Sequence, residues 1–465
     1  MVGPVATAVT DLVRIGSGAG FAGDRTDAAG PVVAELARHY GPRFLIFETL
    51  AERTLALCQL ARRADPAKGY SPALEKLLAP VLSECLRAGI RIVGNFGAAN
   101  PQAAAARIAD LSRAMGHAPR IGIVTGSDLD PNLPVADLAA WEVGGTLLKE
   151  RAQIVSADAY IGAAAIAEAL DMGADIVVTG RVADPALALG PLLHVFRWSP
   201  EDWDLLAAGT LAGHLLECGA QVSGGYFADP GAKDVPGLAD VGFPIAEIGR
   251  DGAVTLTKPP GTGGRVDRFT VTEQMLYEIH DPAAYLTPDV VMDITAARVE
   301  DLGADRVRVT GVRGKPRPDT LKATVCFEAG YLAEAEISYA GPNAAARARL
   351  AADVVRDRLA RRAPGLALRV DAIGIASVFN DTAGATLDGL FPGSASADVR
   401  LRFSAQSTDK AALDLMLDEV EGLYCAGPAG GGGVRRHLTA RLASASCLVE
   451  RGLTAPRATL FGAAS

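Results

Sequence analysis

The chain has 465 residues, 49% of them hydrophobic and 21% charged, so it is a globular protein with a sizeable packed interior and a length that suits roughly two to three domains. A formal net charge of -9, with no basic run beyond Arg361–Arg362 and Arg435–Arg436, repels phosphate backbones and argues against nucleic acid as a partner. No apolar stretch of about 18 residues and no charged-then-apolar leader is present, and Cys58, Cys85, Cys218, Cys326, Cys425 and Cys447 stand singly; a cytoplasmic protein with reduced thiols and no membrane contact is expected.

In chain order, five β-branched runs each end on a polar residue: VRIGSG (13–18), FLIFE (44–48), IRIVGN (90–95), IGIVTGSD (121–128) and DIVVTGR (175–181). Segments 73–88, 102–116 and 161–172 carry apolar residues at helical spacing, so the runs read as parallel strands joined by crossover helices. Parallel strands end on one edge, the edge where open α/β sheets and barrels alike hold their ligands. Glu48, Asn95, Asp128 and Arg181 therefore belong near one another. Beyond residue 225 glycine and proline cluster, and GAVTLTK (252–258), DRVRVTG (305–311), TLKATVCFEAG (320–330) and YLAEAEISYA (331–340) read as antiparallel pairs. Helical segments at 343–362 and 409–424 surround strand candidates at 367–375 and 398–404. The fold class is α/β: a mostly parallel βα domain over 1–264, doubly wound or barrel-like and carrying the site, then an α+β domain over 265–465.

Several constellations carry chemistry. GSGAGFAG matches a dinucleotide fingerprint as a string, but DRTDAAGP follows where a helix should open; the loop instead presents Asp24 and Arg25 at the rim. Glu48 and Glu52, four apart at a helix start, could share a face, and Glu48, emerging from a buried strand, is the preferred acid/base group. Asn100 before Pro101 and Asp184 before Pro185 read as helix caps. Asn95 has no such role and is placed to orient a substrate carbonyl, while Arg181 is placed to clamp an anion. His214 and Glu217 share a helix face, with His214 a proton-transfer candidate. KPPGTGGRV offers Lys258, Gly261, Thr262, Gly263 and Gly264 as an anion loop ahead of a capping box starting at Thr270, and GPAGGGGVRRH offers Arg435 and Arg436 at the mouth of a final helix. No nucleophile elbow, Walker loop, haem motif or zinc spacing is present, so no metal site or cofactor is assigned, with a divalent metal left open.

The blocks GFAGDR, FETLAERTLAL, RIVGNFGAANP, AYIGAAAIAEALDMGADIVVTGRVADPALALGP, GHLLECGAQVSGGYF, GFPIAEI, KPPGTGGRV, LYEIHDPAAYLTPDVV and DRVRVTGVRG together resemble the acyclic terpene utilisation (AtuA) family, in order from residue 14 to about 315. The resemblance implies a catabolic protein in a pathway that runs through acyl-CoA thioesters, and a branched acyl-CoA lyase or hydratase step. It supplies no catalytic residues to carry over. The reading is a lyase, adding or removing water or cleaving a carbon–carbon bond beside the carbonyl of a branched acyl-CoA or related carboxylate. Its substrate is a small anion, a CoA thioester among the candidates, and a homo-oligomer is expected. Two alternatives stand beside it: a non-catalytic subunit completing the site of a small companion protein, and a nicotinamide-dependent oxidoreductase.

Overall fold

A computed structural model describes residues 11–129 and 154–463. They fall into two compact units, Met1–Cys326 with Ser444–Ser465, and Phe327–Ala443. Residues 265–326 therefore pack with the N-terminal half.

The first unit is built on a ten-stranded sheet. Strands β1 (Leu12–Ala19), β2 (Arg43–Phe47), β3 (Arg91–Gly94), β4 (Ile121–Thr125) and β6 (Ile176–Thr179) are the five β-branched runs, with β5 (Ile154–Ala159) lying off this sheet. They pair in parallel in the order β1-β2-β3-β6-β4. Strands β7 (Ile245–Gly249) and β8 (Val254–Thr257) extend it antiparallel beyond β1. The strands β9 (Tyr285–Leu286) and β10 (Val291–Asp293) belong elsewhere, while β11 (Arg298–Gly303) and β12 (Arg306–Thr310) complete that edge, β12 pairing with β8. The other edge is β18 (Arg457–Leu460) on β4. The sheet thus ends in two distinct edges and is open, so the barrel alternative is not realised.

Side chains alternate between the faces with period two. Phe44, Ile46, Val93, Val124 and Val177 join one core with α5 (Ala164–Asp171), α6 (Ala186–Phe196) and α7 (Trp203–Glu217). Leu45, Phe47, Ile92, Ile123 and Ile176 join the other with α1 (Ala29–Leu36), α3 (Leu74–Ala88) and α4 (Pro101–Ala114). Helix α2 (Glu52–Ala64) instead packs on β5. A short sheet of β9, β10 and β13 (Arg313–Lys315) lies against α7, and α8 (Arg268–Leu276) packs beside it.

Strands β14 (Thr320–Ala340), β15 (Leu368–Ile373), β16 (Asp398–Ser407) and β17 (Gly432–Glu450) form a sheet in the order β15-β16-β14-β17, of which β15, β16, the β14 residues from Phe327 and the β17 residues up to Ala443 make up the second unit. Helices α9 (Ala344–Arg362) and α11 (Lys410–Glu421) cover it.

Four local expectations change. The segments 320–330 and 331–340 are one 21-residue strand, because Gly330–Tyr331 lacks the paired left-handed residues a tight hairpin needs. Arg435 and Arg436 lie on β17 and not at a helix mouth; the alternating burial of Ala445, Cys447 and Val449 marks the strand period. Helix α8 starts earlier than Thr270: Asp267 is its N-cap, with Thr270 completing the capping box. Asp184 caps nothing, since α6 has Pro185 at its N-cap and no side-chain cap bond. Asn100 does cap α4, accepting from the Ala103 N–H at 3.2 Å.

Candidate functional site

The strand order locates the site. The chain leaves β3 into α4 on one face of the sheet, and leaves the neighbouring β6 into α6 on the other. Adjacent strands whose connections diverge to opposite faces open a crevice at their C-terminal ends, where α/β sheets bind ligands. Gly97 lets the two loops cross closely, since a Cβ there would stand 2.5 Å from the Thr179 carbonyl oxygen.

Glu48, Asn95 and Arg181 meet in this crevice. Glu48 is buried, and its Oε1 accepts from the Leu50 N–H and from Asn95 Nδ2, both at 2.8 Å. Burial, and secondly the charge of Asp184, hold its pKa well above the ordinary carboxylate value, with Arg181 working against them. Helix α2 opens only at Glu52, so Glu48 stands in the preceding loop and not on a shared helix face.

Asn95 is 0% exposed, and both ends of its amide are engaged: Oδ1 accepts from Thr49 N at 2.7 Å and Thr49 Oγ1 at 3.1 Å, while Nδ2 holds Glu48. It thus positions Glu48, with its Oδ1 and one Nδ2 hydrogen taken up inside the protein. Arg181 is 1% exposed; it donates to the carbonyls of Val182 and Leu50 and to Asp184, and its guanidinium stacks over Tyr160 at 4.4 Å. Burial works against its charge, but Asp184, Tyr160, Glu48 and Glu52 more than offset this. Arg181 is thus the buried counter-charge of a carboxyl cluster, with its donors directed inward.

A polar layer between α2 and β5 continues from it. Tyr160 donates to Glu52 at 2.6 Å, and Lys322 reaches the same oxygen at 3.3 Å. Glu52 is pulled down to about 2: burial raises it, but the Tyr160 hydroxyl, its own backbone N–H and Lys322 outweigh that. Asp128 and Asp158 sit directly opposite, flanked by hydrogen bonds from Leu129 N to Ala157 O and from Ala159 N to Ser127 O. This is the closer, non-hydrogen-bonded type of antiparallel pair. Burial, and then Asp128, push Asp158 up to about 8, while Gln59 donates to both its oxygens. Asp128 itself is exposed and lies 3.8 Å from Arg62.

His214 stands beside the crevice on α7. Its Nε2 lies 3.0 Å from the Gln274 carbonyl, which only accepts, so Nε2 carries a hydrogen; Nδ1 lies 2.9 Å from Glu217 Oε1. Burial works against the imidazolium, but Glu217 raises the His214 pKa overall. Glu217 is itself raised to about 7, by burial and by the charges of Asp184 and Glu278. With Nε2 already carrying a hydrogen, a proton shared by the pair lies between Nδ1 and Glu217 Oε1.

The remaining sequence candidates form a separate patch. Asp24 accepts from the Gly20 N–H at 2.8 Å, and Arg25 pairs with Asp27 and Asp240. Lys258 is buried, bonding the Thr262 carbonyl at 2.8 Å and Asp305 at 3.1 Å. A Cβ on Gly263 would stand 1.8 Å from the Gly237 carbonyl oxygen and one on Gly264 2.5 Å from the Ser223 carbonyl oxygen, so these two glycines pack against the chain's own backbone, while Gly261 is exposed with open space around it.

Asp184, Asp158 and Tyr160 escaped the sequence reading. Asp184 was hidden by its cap-like position before proline, and the strand IVSADAY lies off the main sheet. Among the described residues no three His, Cys, Asp or Glu side chains converge to hold a metal ion. Nor is any described helix long and apolar enough to cross a membrane.

Neither the curated proteins nor the solved structures contain a significant match. The model of one family does match, over residues 13–460, and the chain therefore belongs to the acyclic terpene utilisation family, AtuA.

Proposed function

We propose that this member of the acyclic terpene utilisation family is a lyase that works beside the carbonyl of a branched acyl-CoA or related carboxylate, with Glu48 moving the proton. One observation carries the reading: a buried carboxyl at the switch point of an open α/β sheet, its pKa held well above the ordinary value by burial and fixed through a single oxygen. Such a group is a ready general acid near neutral pH. Both bonds to Glu48 fall on Oε1, so Oε2 delivers or takes the proton.

The surrounding residues support that role without touching the substrate. Asn95 sets the carboxyl plane, and the charge of Asp184 favours the neutral form of Glu48 while Arg181 opposes it. A lyase step beside a carbonyl needs this kind of proton donor, together with a second group that handles the complementary proton.

Two measurements test the proposal. Thermal unfolding against branched acyl-CoA thioesters and the corresponding free acids should show stabilisation by the thioesters, about 2.7 kcal/mol at 100 times the dissociation constant. Glu48→Gln, which keeps the shape, should then lower turnover by about 10²–10⁴. A loss under about tenfold removes Glu48 from the proton-transfer role.

A further inference from the structure

Four buried polar atoms close to the end of α7 have no hydrogen-bond partner among the described residues: Ser17 Oγ, Glu217 Oε2, Gln221 Oε1 and Ser223 Oγ. Ser17 and Ser223 are 0% exposed and Glu217 is 6% exposed, so none of the three is turned to solvent. The elements that carry them are in contact. Ser17 follows Val13 and Ile15 at period two on β1, the face covered by α7. Gly219, with a left-handed φ of 54°, turns the chain out of α7 into the 3-10 segment Gly219–Ser223, which packs against β1, α7 and α8. The join is tight, since a Cβ on Gly20, just past β1, would stand 2.3 Å from the Cys218 carbonyl carbon.

Each such atom left unpaired would cost about 1–3 kcal/mol, so the arrangement favours a guest that supplies hydrogen-bond donors. Glu217 Oε2 and Gln221 Oε1 are acceptors, and the two serine hydroxyls accept as readily as they donate. Because His214 and Glu217 share one proton, the pair carries no net charge, and a neutral donor suits it better than a cation. Water and an alcohol group are the small neutral species that donate and accept at one oxygen.

We propose that Ser17, Glu217, Gln221 and Ser223 form a cup for the water or hydroxyl group exchanged in the reaction, and that Glu217 is the second proton-transfer residue of a hydro-lyase. This rests on the lyase reading above and narrows it to hydration and dehydration. In the hydration direction Glu217 Oε2 takes a proton from water as its oxygen forms the bond to the β-carbon. The pair of electrons from the carbon–carbon double bond passes to the α-carbon, which receives its proton from Glu48 Oε2. One water is consumed, nothing is oxidised or reduced, and dehydration is the reverse. The Cys218 thiol, held above its ordinary pKa by burial, feels the charges of both Glu217 and Glu48. The groups that face Glu217 are His214 on its own helix, Cys218 at the helix end, Asp184 from the loop before α6, Glu278 from the loop after α8 and Tyr285 on β9.

The test incubates the full chain with a branched 2-enoyl-CoA in heavy-oxygen water and follows label in the 3-hydroxyacyl product by mass spectrometry. The expected result is one labelled oxygen per turnover. Glu217→Gln should lower kcat by about 10²–10⁴ and remove the acidic limb of the pH profile. Ser17→Ala and Ser223→Ala, which carry the test if Glu217→Gln does not fold, should each slow labelling by about tenfold, the weight of one lost hydrogen bond. Turnover without label, or serine variants as fast as the parent, overturns the cup and leaves the lyase reading standing. A chain that neither converts nor is stabilised by any thioester overturns both.

Discussion

Replacing Asn95 with alanine separates a residue that positions the acid from one that touches substrate. The change removes the acceptor of the Thr49 N–H, 2.7 Å away, and one of the two donors on Glu48 Oε1, 2.8 Å away, at a point where Asn95 and Thr49 are both 0% exposed. Each stranded buried group costs about 1–3 kcal/mol; since Glu48 keeps the Leu50 N–H, a total of about 2–4 kcal/mol is expected. At roughly 2 °C per kcal/mol for a large unit, the first thermal transition should fall by about 4–8 °C. The activity should shift as well. The Asn95 hydrogen bond lowers the Glu48 pKa, so its removal raises that pKa and moves the alkaline limb of kcat/KM to higher pH. Differential scanning calorimetry and a pH–rate profile read the two effects. Asn100→Ala serves as the control: it loses the α4 cap, about 1 kcal/mol, with no change in the profile. An Asn95→Ala protein that melts within about 1 °C of the parent and differs only in KM would refute the positioning role and return Asn95 to the substrate.

Asp184→Asn should act in the opposite direction, because it removes the second cause of the raised Glu48 pKa while Arg181 remains; the alkaline limb then moves to lower pH, and an unmoved limb would contradict the coupling. The Asp128–Asp158 pair predicts a stability effect. A carboxyl raised in the fold contributes stability that is fully present below the ordinary carboxyl pKa and is lost as pH rises through about 8, so this group should lower Tm progressively between roughly pH 4 and 8 and no further above that, and Asp158→Asn should flatten that fall; parallel curves for the two proteins would dismiss it. Gly97→Ala places a Cβ 2.5 Å from the Thr179 oxygen and should cost about 1–3 kcal/mol in urea unfolding, unless the β3 and β6 loops cross less closely than described.

Much of the candidate site was legible because strand ends are legible. The runs ending at Glu48, Asn95 and Arg181 are short, β-branched and followed by helical periodicity, and parallel pairing then places their ends on one edge whatever the order of the strands. What each side chain does there was less legible. Asn95 and Arg181 look alike in sequence as free polar groups at a rim, yet their atoms are taken up by Glu48, Thr49, Leu50 and Asp184, partners between 3 and 131 residues away. The Lys258 loop shows the same limit, since glycines that could cradle an anion serve equally to let two backbones touch.

Local pattern by itself determined the existence and period of the central strands and helices, the common edge of the parallel strands and the acidic residue that emerges buried from β2. These depend on hydrophobic repeat and short-range sterics, which neighbouring residues carry between them. The tertiary structure alone decided that the sheet is open, that β7, β8, β11 and β12 extend it across residue 265, and that β3 and β6 are neighbours. It also decided that Asp184 faces Arg181 and that Asp158 faces Asp128. Strand order and charge pairing depend on distances between segments far apart in the chain, and a carboxyl's pKa depends on the burial and charges that only the assembled fold supplies.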